Sequence, residues 1–185
     1  MDRRSFLGAV GVVGVWGGCL SAGSTTTTRP PVSVDADPVA PPVVEGPIEL
    51  DPGTLWTKPG LRYGDGDTTL QYEPTNGVWG YAELAIRNVD SASVAKPSVS
   101  AFRLLSARQM FDPVDSLERI DWESLQQREP VFGRTGYADS DSRTIKPGKT
   151  AYCGLLFDFA FAPSPVLHWT RGAGLTVAFS RVDRA

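Results

Sequence analysis

Two stretches of the chain alternate apolar and polar residues with a period of two, as strands with one buried face do. Across Val78–Asn88, Val78, Gly80, Ala82, Leu84 and Ile86 fall on one side, and Trp79, Tyr81, Glu83 and Arg87 on the other. Across 151–161, Cys153, Leu155, Phe157, Phe159 and Phe161 share a side opposite Tyr152, Leu156 and Asp158. Leu175, Val177 and Phe179 predict a closing strand, and Leu70 with Tyr72 and residues 99–105 supply further ones. Turn chemistry separates these runs: Gly64-Asp65-Gly66-Asp67, Lys146-Pro147-Gly148 and Ala162-Pro163-Ser164-Pro165. Short alternating strands between such turns predict an all-β antiparallel sandwich over residues 53–185. The helical signal lies at 116–127, where Asp115 and Glu118 can form a capping box ahead of Leu117, Ile120, Trp122 and Leu125. A short helix inserted between strands is therefore expected.

Upstream the pattern changes twice. From 20 to 52 there is no periodicity, but Thr25–Thr28 are followed by seven of the 15 prolines. Proline lacks a donor and fixes φ, so this stretch is expected to be a disordered stalk. Before it, residues 6–20 form an apolar run of 15, short of the about 20 needed to cross a bilayer as a helix. Glycines at 8, 11, 14, 17 and 18 weaken it further as a permanent helix. A charged start followed by an apolar stretch of this size is how a signal peptide is built.

The opening Arg3-Arg4-Ser5-Phe6-Leu7 resembles the twin-arginine export motif, and Val15-Trp16-Gly17-Gly18-Cys19 resembles a lipobox. Together with the Thr-rich spacer, they are similar to the N-termini of surface lipoproteins of halophilic archaea. The resemblance implies that residues 1–18 are a signal peptide read by the twin-arginine machinery through Arg3, Arg4, Phe6 and Leu7. It also implies that Cys19 carries a lipid holding the protein on the outer side of the cell membrane. Residues 19–52 are then the lipidated cysteine and its stalk. In the remainder, Ile86-Arg87-Asn88-Val89, Phe102-Arg103-Leu104-Leu105, Ile145-Lys146-Pro147-Gly148-Lys149 and Gly154-Leu155-Leu156-Phe157 occur in that order. This order resembles the telokin-like, immunoglobulin-fold domain of exported lipoproteins, and implies an immunoglobulin-like sandwich with no catalytic residues to carry over.

Composition narrows the chemistry. A net charge of −3 with no Lys/Arg-rich run gives no electrostatic reason to bind nucleic acid. His168 is the single histidine, which excludes multi-histidine metal sites and makes any serine-hydrolase triad depend on it. No Gly-x-Ser-x-Gly elbow accompanies it, so a structural or surface histidine is favoured. Cys153 sits on an apolar face, where a thiol packs as a small hydrophobe; with Cys19 lipidated it has no disulfide partner. The pairs Asp65/Asp67 and Asp139/Asp141 lack the distal Glu of a calcium loop and read as solvated turns. No metal or other cofactor is expected. Trp79 and Tyr81 fall on the face away from the core, where they either meet a surface protein or glycan, or pack beneath another element. Packing is the favoured reading. The expected function is a non-catalytic binding domain on a lipid-anchored surface protein. The alternatives are a solute-binding or transport-accessory subunit, which needs a concave pocket, and a hydrolase using His168.

Overall fold

The computed structural model describes residues 37–64, 69–115, 117, 120–171 and 174–185. The expected export residues Arg3, Arg4, Phe6 and Leu7, the lipidation residue Cys19, and the Asp65/Asp67 pair lie outside them. In chain order the strands begin with β1 (Val43–Glu45), β2 (Ile48–Asp51), β3 (Thr54–Lys58), β4 (Leu61–Tyr63) and β5 (Leu70–Tyr72). There follow β6 (Val78–Asn88), β7 (Val94–Ala95), β8 (Phe102–Ser106) and β9 (Gln109–Phe111), then the helix α1 (Trp122–Arg128). The remaining strands are β10 (Gly136–Tyr137), β11 (Thr144–Ile145), β12 (Thr150–Phe159), β13 (Val166–Trp169), β14 (Leu175–Ala178) and β15 (Arg181–Arg184).

The two alternating stretches become β6 and β12, which pair antiparallel from Thr150 opposite Arg87 to Phe159 opposite Val78. The free edge of β6 is shared: β2 pairs along Ala85–Asn88 and β3 along Trp79–Ala82. β1 lies outside β2, β10 outside β12, and β15 outside β3, completing one seven-stranded sheet. A four-stranded sheet runs β14-β13-β8-β9, and β4–β5 and β7–β11 form separate two-stranded ladders. Both large sheets contribute to one core. Leu84, Ile86, Leu155 and Phe157 from the first meet Phe102, Leu104, Trp169 and Val177 from the second. The inward positions read from alternation in β6 and β12 are buried, save Val78, which is partly buried at the start of β6, and Phe161, which lies beyond the end of β12 and is 37% exposed.

Three expectations change. Residues 43–51, assigned to the stalk, form β1 and β2, and Ile48 and Leu50 are fully buried in the shared core. Their prolines flank strands rather than interrupt them: Pro47 occupies the β1–β2 turn, where its carbonyl accepts Val89 N–H, and Pro52 follows β2. The arrangement is not wholly antiparallel, because β15 runs parallel to β3. Ser180 N–H donates to Gly53 O as the chain leaves β14, which brings Arg181 beside Thr54 in the same direction. The helix covers Trp122–Arg128 rather than 116–127, and its N-cap is Asp121, whose carboxylate accepts Glu123 N–H, rather than Asp115.

One buried polar residue ties the sheet to its loops. Asn88, at the end of β6, donates from its side chain to Ala92 O and Ile145 O and accepts Asp90 N–H. Fully desolvated, an amide persists only when its bonds are made.

Candidate functional site

The outer face of β6 is not solvated along its whole length. Alternation that buries Ala82, Leu84 and Ile86 inward necessarily turns Trp79 and Tyr81 outward. There a second apolar cluster covers them, formed by Leu61, Leu117, Leu125, Phe132 and Leu156. Trp79 is 3% exposed, and its indole N–H donates to Tyr72 O at 2.9 Å. Trp79 is therefore a packing residue beneath the β4–β5 ladder, not part of an open partner-binding face. The covering elements supply an apolar lid, so the outward tryptophan gains burial without facing the main core.

Tyr81 is only half-buried. Its ring lies 6.2 Å from that of Phe132, inclined by 42°. Two glycines make room for it. A Cβ on Gly133 would stand 2.6 Å from the Tyr81 hydroxyl, and one on Gly154 would meet the same hydroxyl and lie 2.6 Å from Arg134 O. Any larger residue at either position would push the ring off the sheet. Burial, followed by the charges of Glu83 and Cys153, pushes the Tyr81 phenol up to about 12.

Tyr81 stands directly opposite Trp56 of β3 in the antiparallel register, so both rings occupy the same face. Together with Phe132 they line a groove of about 540 Å³ between the sheet and the segment after α1, with Thr54, Glu83 and Gln126 at its polar edge. The groove thus offers partly exposed aromatic faces beside a carboxylate, a carboxamide and a hydroxyl. That combination suits a ligand carrying both apolar faces and hydroxyls.

One wall is braced by an ion cluster around a buried carboxylate. Glu129, at the C-terminal end of α1, is 3% exposed. It accepts from Lys58 Nζ, from Arg62 Nε at 3.1 Å and from Arg62 N–H at 3.2 Å. Burial pushes its pKa upward, but the bonds from Lys58 and Arg62 outweigh it and hold the carboxyl below the ordinary value. The cluster fastens the segment carrying Phe132 to β3 and β4, and Phe132 N–H donates to Glu129 O.

The other residues singled out by sequence lie elsewhere. His168 is on β13, opposite Arg103 and Thr176. Burial and then the Arg103 charge lower its pKa, and its Nδ1 is enclosed without a hydrogen-bond partner among the described residues. No described serine or aspartate completes a triad with it. Cys153 is fully buried, and burial pushes its thiol up to about 12. Asp139 and Asp141 are exposed, with Asp141 N–H donating to the Asp139 carboxylate, an Asx turn. Among the described residues no group of three or more His, Cys, Asp or Glu is arranged to hold a metal. Nor is any described helix long and apolar enough to cross a membrane.

Sequence reasoning found Tyr81 but missed Trp56, Phe132 and Glu129. The Trp56 signal was present as the alternation Thr54, Leu55, Trp56, Thr57, Lys58, with Leu55 and Thr57 buried. Phe132 and Glu129 follow a short helix and carry no periodic signal of their own.

No protein-family model matches the chain, and comparison with curated proteins and with solved structures returns no significant match.

Proposed function

We propose that this is an exported, lipid-anchored surface protein whose immunoglobulin-like sandwich binds a saccharide-bearing partner without catalysis, through the Trp56–Tyr81 groove. The export and anchoring part rests on Arg3, Arg4, Phe6, Leu7 and Cys19. The observation that carries the binding part is the pairing of two half-buried aromatic rings, opposite each other on β3 and β6 and edged by Glu83 and Gln126. Ring faces of sugars pack on such aromatics, and their hydroxyls bond to carboxylates and carboxamides at the rim. Two sheets sharing one core with strand-rich connections support the immunoglobulin-like reading.

The test is a panel of neutral oligosaccharides titrated into the full chain and into Trp56→Ala. A bound oligosaccharide whose affinity falls tenfold or more in the variant, about 1.4 kcal/mol, supports the groove. Absence of binding across the panel, or binding indifferent to Trp56, overturns it. For the anchor, Cys19→Ser is expected to move the protein from the membrane fraction to the soluble exported fraction. Unchanged membrane retention would defeat the lipid assignment.

A further inference from the structure

The chain is acidic overall, yet its lysines are not spread over the surface. Of four, Lys58 is committed to Glu129, and the other three, Lys96, Lys146 and Lys149, line one cleft of about 500 Å³. The cleft also takes in Asp139, whose carboxylate accepts Asp141 N–H, and Tyr152, which is 50% exposed. Three lysines and one aspartate thus line the cleft.

Lys96 is held through its side chain, and Lys146 and Lys149 through the backbone of their turn. Lys96 Nζ donates to Asp139 O and lies 4.9 Å from the centre of the Tyr137 ring. Lys146 and Lys149 are the ends of a Pro-Gly turn: Lys149 N–H donates to Lys146 O at 3.0 Å, and Gly148 has φ +66°. That turn is fixed to the sheet, because Gly148 N–H donates to Asn88 O and the Asn88 side chain donates to Ile145 O. The buried Asn88 therefore fixes the turn from which two of the lysines project.

One residue of the cleft, Tyr152, shares a face with the aromatic groove. Leu156 lies opposite Tyr81 and Tyr152 opposite Ala85, so Tyr81 and Tyr152 are on the same outer face. Four residues separate them along the strand pair, roughly 13 Å at about 3.3 Å per residue. A saccharide chain of a few units spans that distance.

We propose that the lysine cleft is an anionic subsite for the same ligand, so that the partner is an acidic saccharide carrying sulfate, phosphate or uronate groups. This rests on the saccharide reading of the groove: the rings pack on Trp56 and Tyr81, while an acidic substituent meets Lys96, Lys146 and Lys149 beside Tyr152. The charge is local, which agrees with a surface whose overall field does not attract polyanions at large.

The experiment titrates the full chain with a dextran oligosaccharide and with its sulfated form of the same length, at low and at physiological salt. The expected result is tighter binding of the sulfated form, with the advantage shrinking as salt rises. Lys146→Gln/Lys149→Gln, both exposed, is expected to weaken the sulfated form about tenfold and leave the neutral form unchanged. Equal affinity for the two sugars, or a double variant indifferent to sulfate, overturns the subsite and leaves the groove standing. If neither sugar binds, the groove reading and the subsite fail together. Vesicles containing anionic phospholipid form a separate arm. Lysine-dependent binding to the vesicles without preference for the sulfated sugar overturns the saccharide assignment in favour of a lipid surface.

Discussion

The two faces of the β6–β12 pair are built from the same strands and solve different problems. The inner face is closed: Ala82, Leu84, Ile86, Cys153, Leu155, Phe157 and Phe159 are all fully buried against the second sheet. The outer face carries larger aromatics, covered in one part by the β4–β5 ladder and α1 and left half-open at Trp56 and Tyr81. The inner face holds no charged residue, whereas the outer face depends on one, Glu129, to fasten its cover. An apolar face needs only a matching apolar face. A partial cover made of a short helix and loops buries too little for that, and here directional contacts add to it.

Breaking the inner face should cost most. Phe157→Ala removes a fully buried ring between two sheets and is expected to lower stability by about 3–5 kcal/mol, read as a shift in urea midpoint at constant slope. A loss under about 1 kcal/mol would mean that the two sheets do not share a tight core.

The outer cover should be sensitive to charge and acid. Glu129→Gln keeps the shape but leaves Lys58 and Arg62 without their carboxylate, and should cost about 1–3 kcal/mol at pH 7. Because the folded carboxyl titrates below its ordinary value, its stabilisation is complete above the unfolded value. It is lost as pH falls through the folded one. The gap between wild type and Glu129→Gln should therefore narrow in acid. A gap that persists unchanged would place the cause in packing rather than in the ion cluster.

The smallest effect belongs to the groove itself. Tyr81→Phe removes a half-buried hydroxyl and keeps the ring, and at neutral pH should change stability by less than about 1 kcal/mol. In alkali the order reverses. The phenol ionises near 10 unfolded and about 12 folded, so its stabilisation is full below pH 10 and is lost as pH rises towards 12. Wild type should lose stability across that window relative to Tyr81→Phe, which denaturant midpoints at both ends of it would register.

Alternation alone located the two central strands, their inward residues and the burial of Cys153, because a period of two is a local consequence of backbone geometry. The Pro-Gly turn before β12 was legible for the same reason. β1 and β2 were hidden because a high density of proline resembles a linker when nothing shows that each proline stands at a strand end. β15, Arg-Val-Asp-Arg, has a single apolar residue, and its place beside β3 comes from a crossover between sheets. Trp79 shows the limit most clearly: its direction was determined by sequence, its environment was not.

What the sequence by itself determined is which residues turn which way along each strand and where the chain must reverse. The tertiary structure alone decided what covers each face. It set Glu129 against Lys58 and Arg62, placed Phe132 beside Tyr81, and gathered three lysines around Tyr152. Those contacts join residues far apart in the chain, and neither a period nor a propensity encodes them, since each depends on how non-local strands and loops pack after the local pattern is satisfied.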